Sequence, residues 1–254
     1  MKKIIIIANW KLNGNKVLVN KFSKYFTSNI IKYLKNNIII MSPPIIYIEQ
    51  MKKLINNKKI FFASQNIDYN ETGAFTGELS VNMIKEIGIK YVILGHSERR
   101  ENHNENNKLI AKKFNSVKKN KIIPILCIGE TKKEKKLGLT DKVLKKQIDS
   151  IFLKCGKLAF NNSIIAYEPR WSIGSGKTAS PSLINKILKM IKKYILKNSF
   201  QDIKVYMQYG GSVSCDNIKN IIHQKYVDGV LIGSGSLNFK NFKKMIKISS
   251  KLKI

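Results

Sequence analysis

The chain has 254 residues, of which 47 are Lys or Arg and 16 are Asp or Glu, for a formal net charge of +31. Hydrophobic residues make up 43%, enough for a full core, yet no apolar run reaches the roughly 18 residues of a membrane span. The three cysteines, Cys127, Cys155 and Cys215, form no CxxC pair and are odd in number. That excludes a disulfide framework and implies a reducing, cytoplasmic compartment.

The N-terminus, MKKIIIIANWK, carries the charge of a secretory leader, but its apolar run stops at Ala8. A leader needs an apolar region of about 7–15 residues, so residues 4–9 are read as a buried first strand. Residues 15–34 place Val17, Phe22, Tyr25, Phe26 and Ile30 at helical spacing. Further strands are predicted over 37–42, 60–65, 91–95, 122–127 and 164–168. Residues 180–197 form a helix with Ser180 as N-cap and Pro181 at the first helical position. Its apolar stripe runs from Leu183 through Ile184, Ile187, Leu188 and Ile191 to Ile195. The last strands are 205–209 and 229–233.

Short continuous apolar runs suit strands buried on both faces. Eight strand–helix units in series imply an α/β fold, a closed (β/α)8 barrel of eight parallel strands with outer helices. A doubly wound sheet normally needs a glycine-rich phosphate loop after its first strand, and here that strand runs into ANWKLNG. No linker or low-complexity stretch divides the chain, so residues 1–254 are read as one barrel domain.

Two features invite other readings. The stretch GSGKT (174–178) looks like the end of a nucleotide-binding P-loop, but the first glycine of that motif falls on Trp171. The charge suggests nucleic acid. However, only Arg99, Arg100 and Arg170 are arginine, and the lysines are spread among Asn and Ile throughout. This reads as a compositional drift onto solvated helix faces, with no specific nucleic-acid partner. The charge does draw in an anionic substrate, an attraction that weakens with salt.

In such a barrel, chemistry gathers at the carboxyl ends of the strands. There the sequence places Asn9 and Lys11, His96, Glu168, and the glycine-rich loops YGGSVS (209–214) and IGSGSL (232–237). Glu168, held extended by Pro169, has the position of a general base, and equally that of a solvated or ion-paired glutamate. His96 precedes SERR, a helix start with Ser97 as cap. A neutral imidazole at that helix terminus could donate to a carbonyl, and a lone histidine is also commonly structural. His103 and His223 fall at no strand end. Lys11 could balance charge on a phosphate or an enolate-like oxygen. The glycine loops suit backbone N–H groups approaching a phosphate, or simple turns. No metal-ligand spacing and no dinucleotide fingerprint is present.

The chain resembles the triosephosphate isomerase family over essentially its whole length. The segments that carry the resemblance are ANWKLN (8–13), SQNIDYNETGAFTGE (64–78), ILGHSERR (93–100), CIGE (127–130), AYEPRWSIGSGKTAS (166–180), YGGSV (209–213) and DGVLIGSGSL (228–237). It implies a TIM barrel that interconverts dihydroxyacetone phosphate and D-glyceraldehyde 3-phosphate, in glycolysis and gluconeogenesis, without cofactor or metal. It also implies Glu168 as base, His96 as neutral electrophile, and Lys11 and Asn9 as substrate-positioning groups. Phosphate would be held near Gly174, Ser212, Gly233 and Ser234, under a loop from Trp171 that closes over the substrate and excludes water. A homodimer is implied through loop 66–80, with Thr76 at the tip. Two positions depart from the family: Arg170 stands where a small or β-branched residue is usual, and Ser234 where glycine is. A left-handed backbone at Ser234 would cost more than with glycine.

Overall fold

The β-branched runs form eight strands: β1 Ile4–Asn9, β2 Asn37–Ser42, β3 Ile60–Ser64, β4 Tyr91–Leu94, β5 Ile123–Ile128, β6 Ser163–Tyr167, β7 Val205–Tyr209 and β8 Gly229–Ile232. They are seen in a computed structural model that describes residues 3–28, 30–172, 178–200 and 203–252. All neighbours pair in parallel and in sequence order, and β8 pairs with β1 through Ile5↔Gly229 to Ala8↔Ile232. The barrel expected from the repeat is therefore the observed architecture. Strand ends move by a residue or so. Gly95, at φ 67°, turns the chain out of β4 one residue earlier than predicted.

Alternation along each strand makes two apolar layers. Ile5 and Ile7 join Ile40, Ala63, Ile93, Ile125, Ile164, Ala166 and Leu231 in a cluster made of strand residues alone. That is the barrel interior. Ile4, Ile6 and Ala8 point the other way, into a larger cluster shared with the helices. A run such as IIII is needed because both faces of the strand are dry.

The helices are α1 Lys16–Ser28, α2 Ile45–Ile55, α3 Val81–Glu86, α4 Ser97–Asn102, α5 Asn107–Lys119, α6 Lys132–Lys136, α7 Thr140–Cys155, α8 Pro181–Asn198, α9 Ile218–Ile222 and α10 Phe239–Ser250. α8 begins as expected, with the Ser180 hydroxyl accepting from Leu183 N at 3.3 Å and Pro181 at the first position. The helix expected over 15–34 is instead divided into α1 and a short 3-10 turn, Ile31–Tyr33. The Thr27 hydroxyl bonds back to Ser23 O at 2.9 Å and across to Leu54 O of α2 at 3.0 Å, which pins the last turn of α1. No helix among the described residues is long and apolar enough to cross a membrane.

One buried charge cluster ties the rim together. Glu105 Oε1 accepts from Arg99 Nε on α4 at 2.7 Å and from Lys113 Nζ on α5 at 2.6 Å. Lys113 Nζ also donates to Asn66 Oδ1, just past β3, at 2.9 Å. Burial alone would raise the Glu105 carboxyl; the hydrogen bonds and charges of Lys113 and Arg99 outweigh it and hold the group below its ordinary value. Replacing Glu105 with Gln leaves buried Lys113 without its counter-charge and is expected to cost about 3 kcal/mol. Because the native carboxyl is lowered, its contribution is complete above the unfolded value of about 4.3 and is lost as pH falls through the native one. Urea midpoints from neutral to acid pH should therefore fall less steeply for Glu105→Gln than for the parent protein.

Candidate functional site

The carboxyl end of β1 delivers an amide and a cation in three residues. Asn9 is buried, and its Oδ1 accepts the Lys11 backbone N–H at 3.0 Å. That bond secures Lys11 in a left-handed backbone, φ 55°, which a side chain with Cβ disfavours. From the end of β3, Gln65 Nε2 donates to the carbonyls of both Lys11 and Ser42 at 2.9 Å. The Lys11 stem runs over Gly233, where an added Cβ would stand 3.2 Å from Cε. Its ammonium reaches Glu98 Oε1 at 2.5 Å.

His96 follows β4, and here the structure corrects the expected cap. The N-cap of α4 is His96, not Ser97. With φ −51° and ψ 142° the His96 backbone is extended, which swings its ring over the first free helical N–H, and Nδ1 accepts from Glu98 N at 3.3 Å. A ring nitrogen that accepts carries no proton, so the neutral imidazole has its N–H at Nε2. That nitrogen lies 3.6 Å from Glu168 Oε1. Ser97, as the first helical residue, instead donates its backbone N–H to Glu168 Oε2 at 3.3 Å.

Glu168 stands one residue past β6 and is 1% exposed. Its N–H bonds Ile128 O at 2.7 Å, so β5 and β6 remain in register to the rim. The fit requires glycine at 129: a Cβ there would lie 1.8 Å from the Glu168 carbonyl oxygen. Glu168 Oε1 has no hydrogen-bond partner among the described residues. Glu105 Oε2 and Glu130 Oε2 are open in the same way, so what sets Glu168 apart is the imidazole beside its open oxygen. The Cys127 thiol lies against the same carboxylate; burial and then the Glu168 charge push it well up, so it stays a neutral thiol.

Beside these groups is a cavity of about 330 Å³ bounded by Lys11, His96, Ser212, Gly233 and Ser234, with Gly210 and Gly211. Ser234 opens a 3-10 turn, Ser234–Ser236, and is not among the residues of positive φ. The strain that serine would meet there in a left-handed backbone is therefore not incurred. The Ser212 hydroxyl donates to Ser172 O at 2.6 Å, and Ser212 O accepts from Thr178 Oγ1 at 3.0 Å. Both flanks of the loop after β6 thus meet at Ser212. They meet again at Tyr209, whose hydroxyl is 3.1 Å from Ser172 Oγ and accepts Ala179 N at 3.2 Å. Trp171 Nε1 donates to Glu130 Oε1 at 2.9 Å, and Tyr167 OH to the same oxygen at 3.0 Å. Gly174, expected near the phosphate, lies outside the described residues.

The structure thus brings Asn9, Lys11, His96, Glu168, Ser212, Gly233 and Ser234 to one rim. His103 and His223 are exposed and away from it. Gln65, Glu98, Cys127 and Glu130 also belong to the site, and nothing in their residue types marks them as site residues in the sequence. All four sit inside the quoted motifs, which was the available signal. Among the described residues no group of three or more His, Cys, Asp or Glu could hold a metal ion.

Residues 71–78 of loop 66–80 are exposed. The loop is closed at its base by Asp68 N to Leu79 O, 2.8 Å, and at its tip by Glu78 N to Phe75 O, 3.1 Å, a turn that contains Thr76 and Gly77. Thr76 is exposed, as are Phe75 in the same turn and Leu12, Val17, Ile46 and Met83 on the neighbouring segments after β1, β2 and β3.

Comparison with known proteins agrees with this geometry. The family model for triosephosphate isomerase matches residues 4–249. A triosephosphate isomerase of Buchnera aphidicola subsp. Schizaphis graminum (strain Sg) is 53% identical over 250 residues, covering 98% of each chain. That of Buchnera aphidicola subsp. Cinara cedri (strain Cc) is 49% identical, covering 98% of this chain and 100% of the relative. That of Blochmanniella floridana is 48% identical, covering 99% and 98%. With the barrel and its rim matched from end to end, the chain belongs to the triosephosphate isomerase family.

Proposed function

We propose that Asn9, Lys11, His96 and Glu168 interconvert dihydroxyacetone phosphate and D-glyceraldehyde 3-phosphate at this rim, in a chain that works as one barrel domain over 1–254. The observation that carries the assignment is the buried Glu168 Oε1, unpartnered among the described residues and 3.6 Å from His96 Nε2. Glu168 removes a proton from the carbon beside the substrate carbonyl. His96 donates Nε2–H to the carbonyl oxygen as negative charge develops, and carries the proton between the two oxygens of the enediolate. Glu168 returns its proton to the neighbouring carbon, so the enzyme ends each turnover as it began. The Lys11 ammonium offsets the charge of phosphate and enediolate, and Asn9 holds the Lys11 backbone that aims it. Backbone N–H groups near Ser212, Gly233, Ser234 and Gly174 take the phosphate. The reaction as written draws only on side-chain and backbone groups.

The exposed apolar residues around loop 66–80 support a homodimer in which Thr76 of one protomer reaches toward its partner's rim. A surface with Leu12 97% and Val17 76% exposed needs cover. Three free cysteines are in keeping with a reducing cytoplasm.

Glu168→Ala is expected to lower kcat by about 10³-fold or more, with the protein still folded. A coupled assay with glyceraldehyde 3-phosphate checks it, and equal rates for the two proteins would remove Glu168 from the mechanism. Phe75→Glu places a charge in the apolar turn beside Thr76. Sedimentation should show the dimer shifting toward monomer at micromolar concentration, whereas an unchanged dimer would place the interface elsewhere.

A further inference from the structure

We propose that Arg170 and Glu101 are positioning residues for Glu168, an ion-pair brace that sets where the carboxylate sits relative to the start of α4; the proposal rests on the reading of Glu168 as base. Arg170 Nε donates to Glu101 Oε1 at 2.6 Å, and a second guanidinium nitrogen, Nη2, contacts the same oxygen. The Arg170 backbone N–H is held separately by Glu130 O at 3.1 Å. Residue 170 is thus fixed at both its backbone and its side-chain end.

The two partners lie on the two elements whose separation matters. Glu101 is on α4, one helical turn beyond Ser97, and α4 begins with the groups that face Glu168: Ser97 N at 3.3 Å from Oε2, and His96 Nε2 at 3.6 Å from Oε1. Arg170 is two residues beyond Glu168, with Pro169 between them. A proline with fixed φ transmits a constraint on residue 170 to residue 168 with little slack. The contacts therefore close a ring: Glu168 to Ser97, along α4 to Glu101, across to Arg170, and back through Pro169. Arg170 also lines the same small void as Glu168, Ser97, Arg100 and Cys127. Burial lowers Arg100, and the Arg170 charge adds a smaller push the same way. Glu101 supplies the negative charge that lets Arg170 rest beside a second arginine.

The members of this ring differ in their access to solvent. The side chains of His96 and Glu168 are 7% and 2% exposed, while those of Arg170 and Glu101 are 23% and 49% exposed. Salt therefore screens the brace far more than the contacts it supports.

The test is kcat at saturating triose phosphate, where electrostatic attraction of the substrate no longer enters the rate. Arg170→Met and Glu101→Gln are each expected to lower kcat by about three- to fivefold, the scale of a partly exposed ion pair, with KM within about twofold. Raising salt from about 0.05 to about 0.5 M should lower kcat of the parent protein but leave the single variants flat. The charge-swapped double variant, Arg170→Glu with Glu101→Arg, should regain at least half of the loss. Thermal melts establish that each variant is folded. The proposal is overturned if folded single variants keep the parent kcat, or if they respond to salt as the parent does. It is also overturned if the swap recovers nothing. Glu168→Ala run alongside separates the two ideas: activity retained there defeats the base assignment, whereas activity lost there with unaffected single variants defeats the brace alone.

Discussion

Eight parallel strands closed on themselves bury both faces of every strand, so a polar side chain can reach a ligand only where a strand stops. The pairing of β8 with β1 removes the sheet edge and satisfies the backbone along the barrel wall. Inside, Ile5, Ile7 and their neighbours fill the bore, which leaves no channel to act in. The consequence is spatial. Asn9, His96 and Glu168 stand at strand exits because the wall has no other place for them, and closure brings the exits of β4 and β6 together, with Ser97 N 3.3 Å from Glu168 Oε2 and His96 Nε2 3.6 Å from Oε1. The tightness of the wall reaches the rim itself at Gly129, where the Glu168 backbone leaves no room for a β-carbon.

Three buried glutamates show how differently one residue type can be settled. Glu105 is met by two cations and is structural. Glu130 accepts from two neutral donors, Tyr167 and Trp171, and fastens the loop after β6 to the end of β5. Burial, with the Glu130 carboxylate adding to it, pushes the Tyr167 phenol up and keeps it protonated. Glu168 receives one backbone N–H on one oxygen and leaves the other open toward an imidazole. Each of the three has one buried oxygen without a hydrogen-bond partner among the described residues. Of the three, Glu168 is the one whose open oxygen has an imidazole beside it, His96 Nε2 at 3.6 Å, and that separates a carboxylate suited to exchanging a proton from two that hold the scaffold.

Much of this was legible beforehand, and for identifiable reasons. The strands were readable because a fully dry strand must be continuously apolar, as IIIIAN and NIIIMS are. α8 was readable from Ser180 and Pro181, whose chemistry acts within one turn. The rim residues followed from strand ends, and their roles came with the family motifs rather than from spacing. What escaped was of two kinds. The division of residues 15–34 depends on a Thr27 hydroxyl that reaches another helix, and the capping of α4 by His96 depends on backbone angles that residue type does not announce. The Arg170–Glu101 pair joins positions 69 apart in sequence, so only the fold brings the two residues together. The loop expected to close over the substrate centres on Gly174, outside the described residues, and its flanks at Ser172 and Ala179 are what the structure contributes to it.

The left-handed backbone of Lys11 narrows what this position can become. Glycine would relieve the φ of 55°, but it would delete the ammonium that meets Glu98. Asparagine and aspartate tolerate such a backbone better than most residues, yet neither is a cation. Arginine keeps the charge and the strain, but a forked head has to replace a compact one in the narrow path over Gly233. Each single step away from lysine thus trades a conformational gain for a chemical loss, or gains nothing. A residue in that situation is held in place by the lack of a neighbouring solution, and the Asn9 and Gln65 hydrogen bonds around it are the means by which the fold makes the awkward choice tolerable.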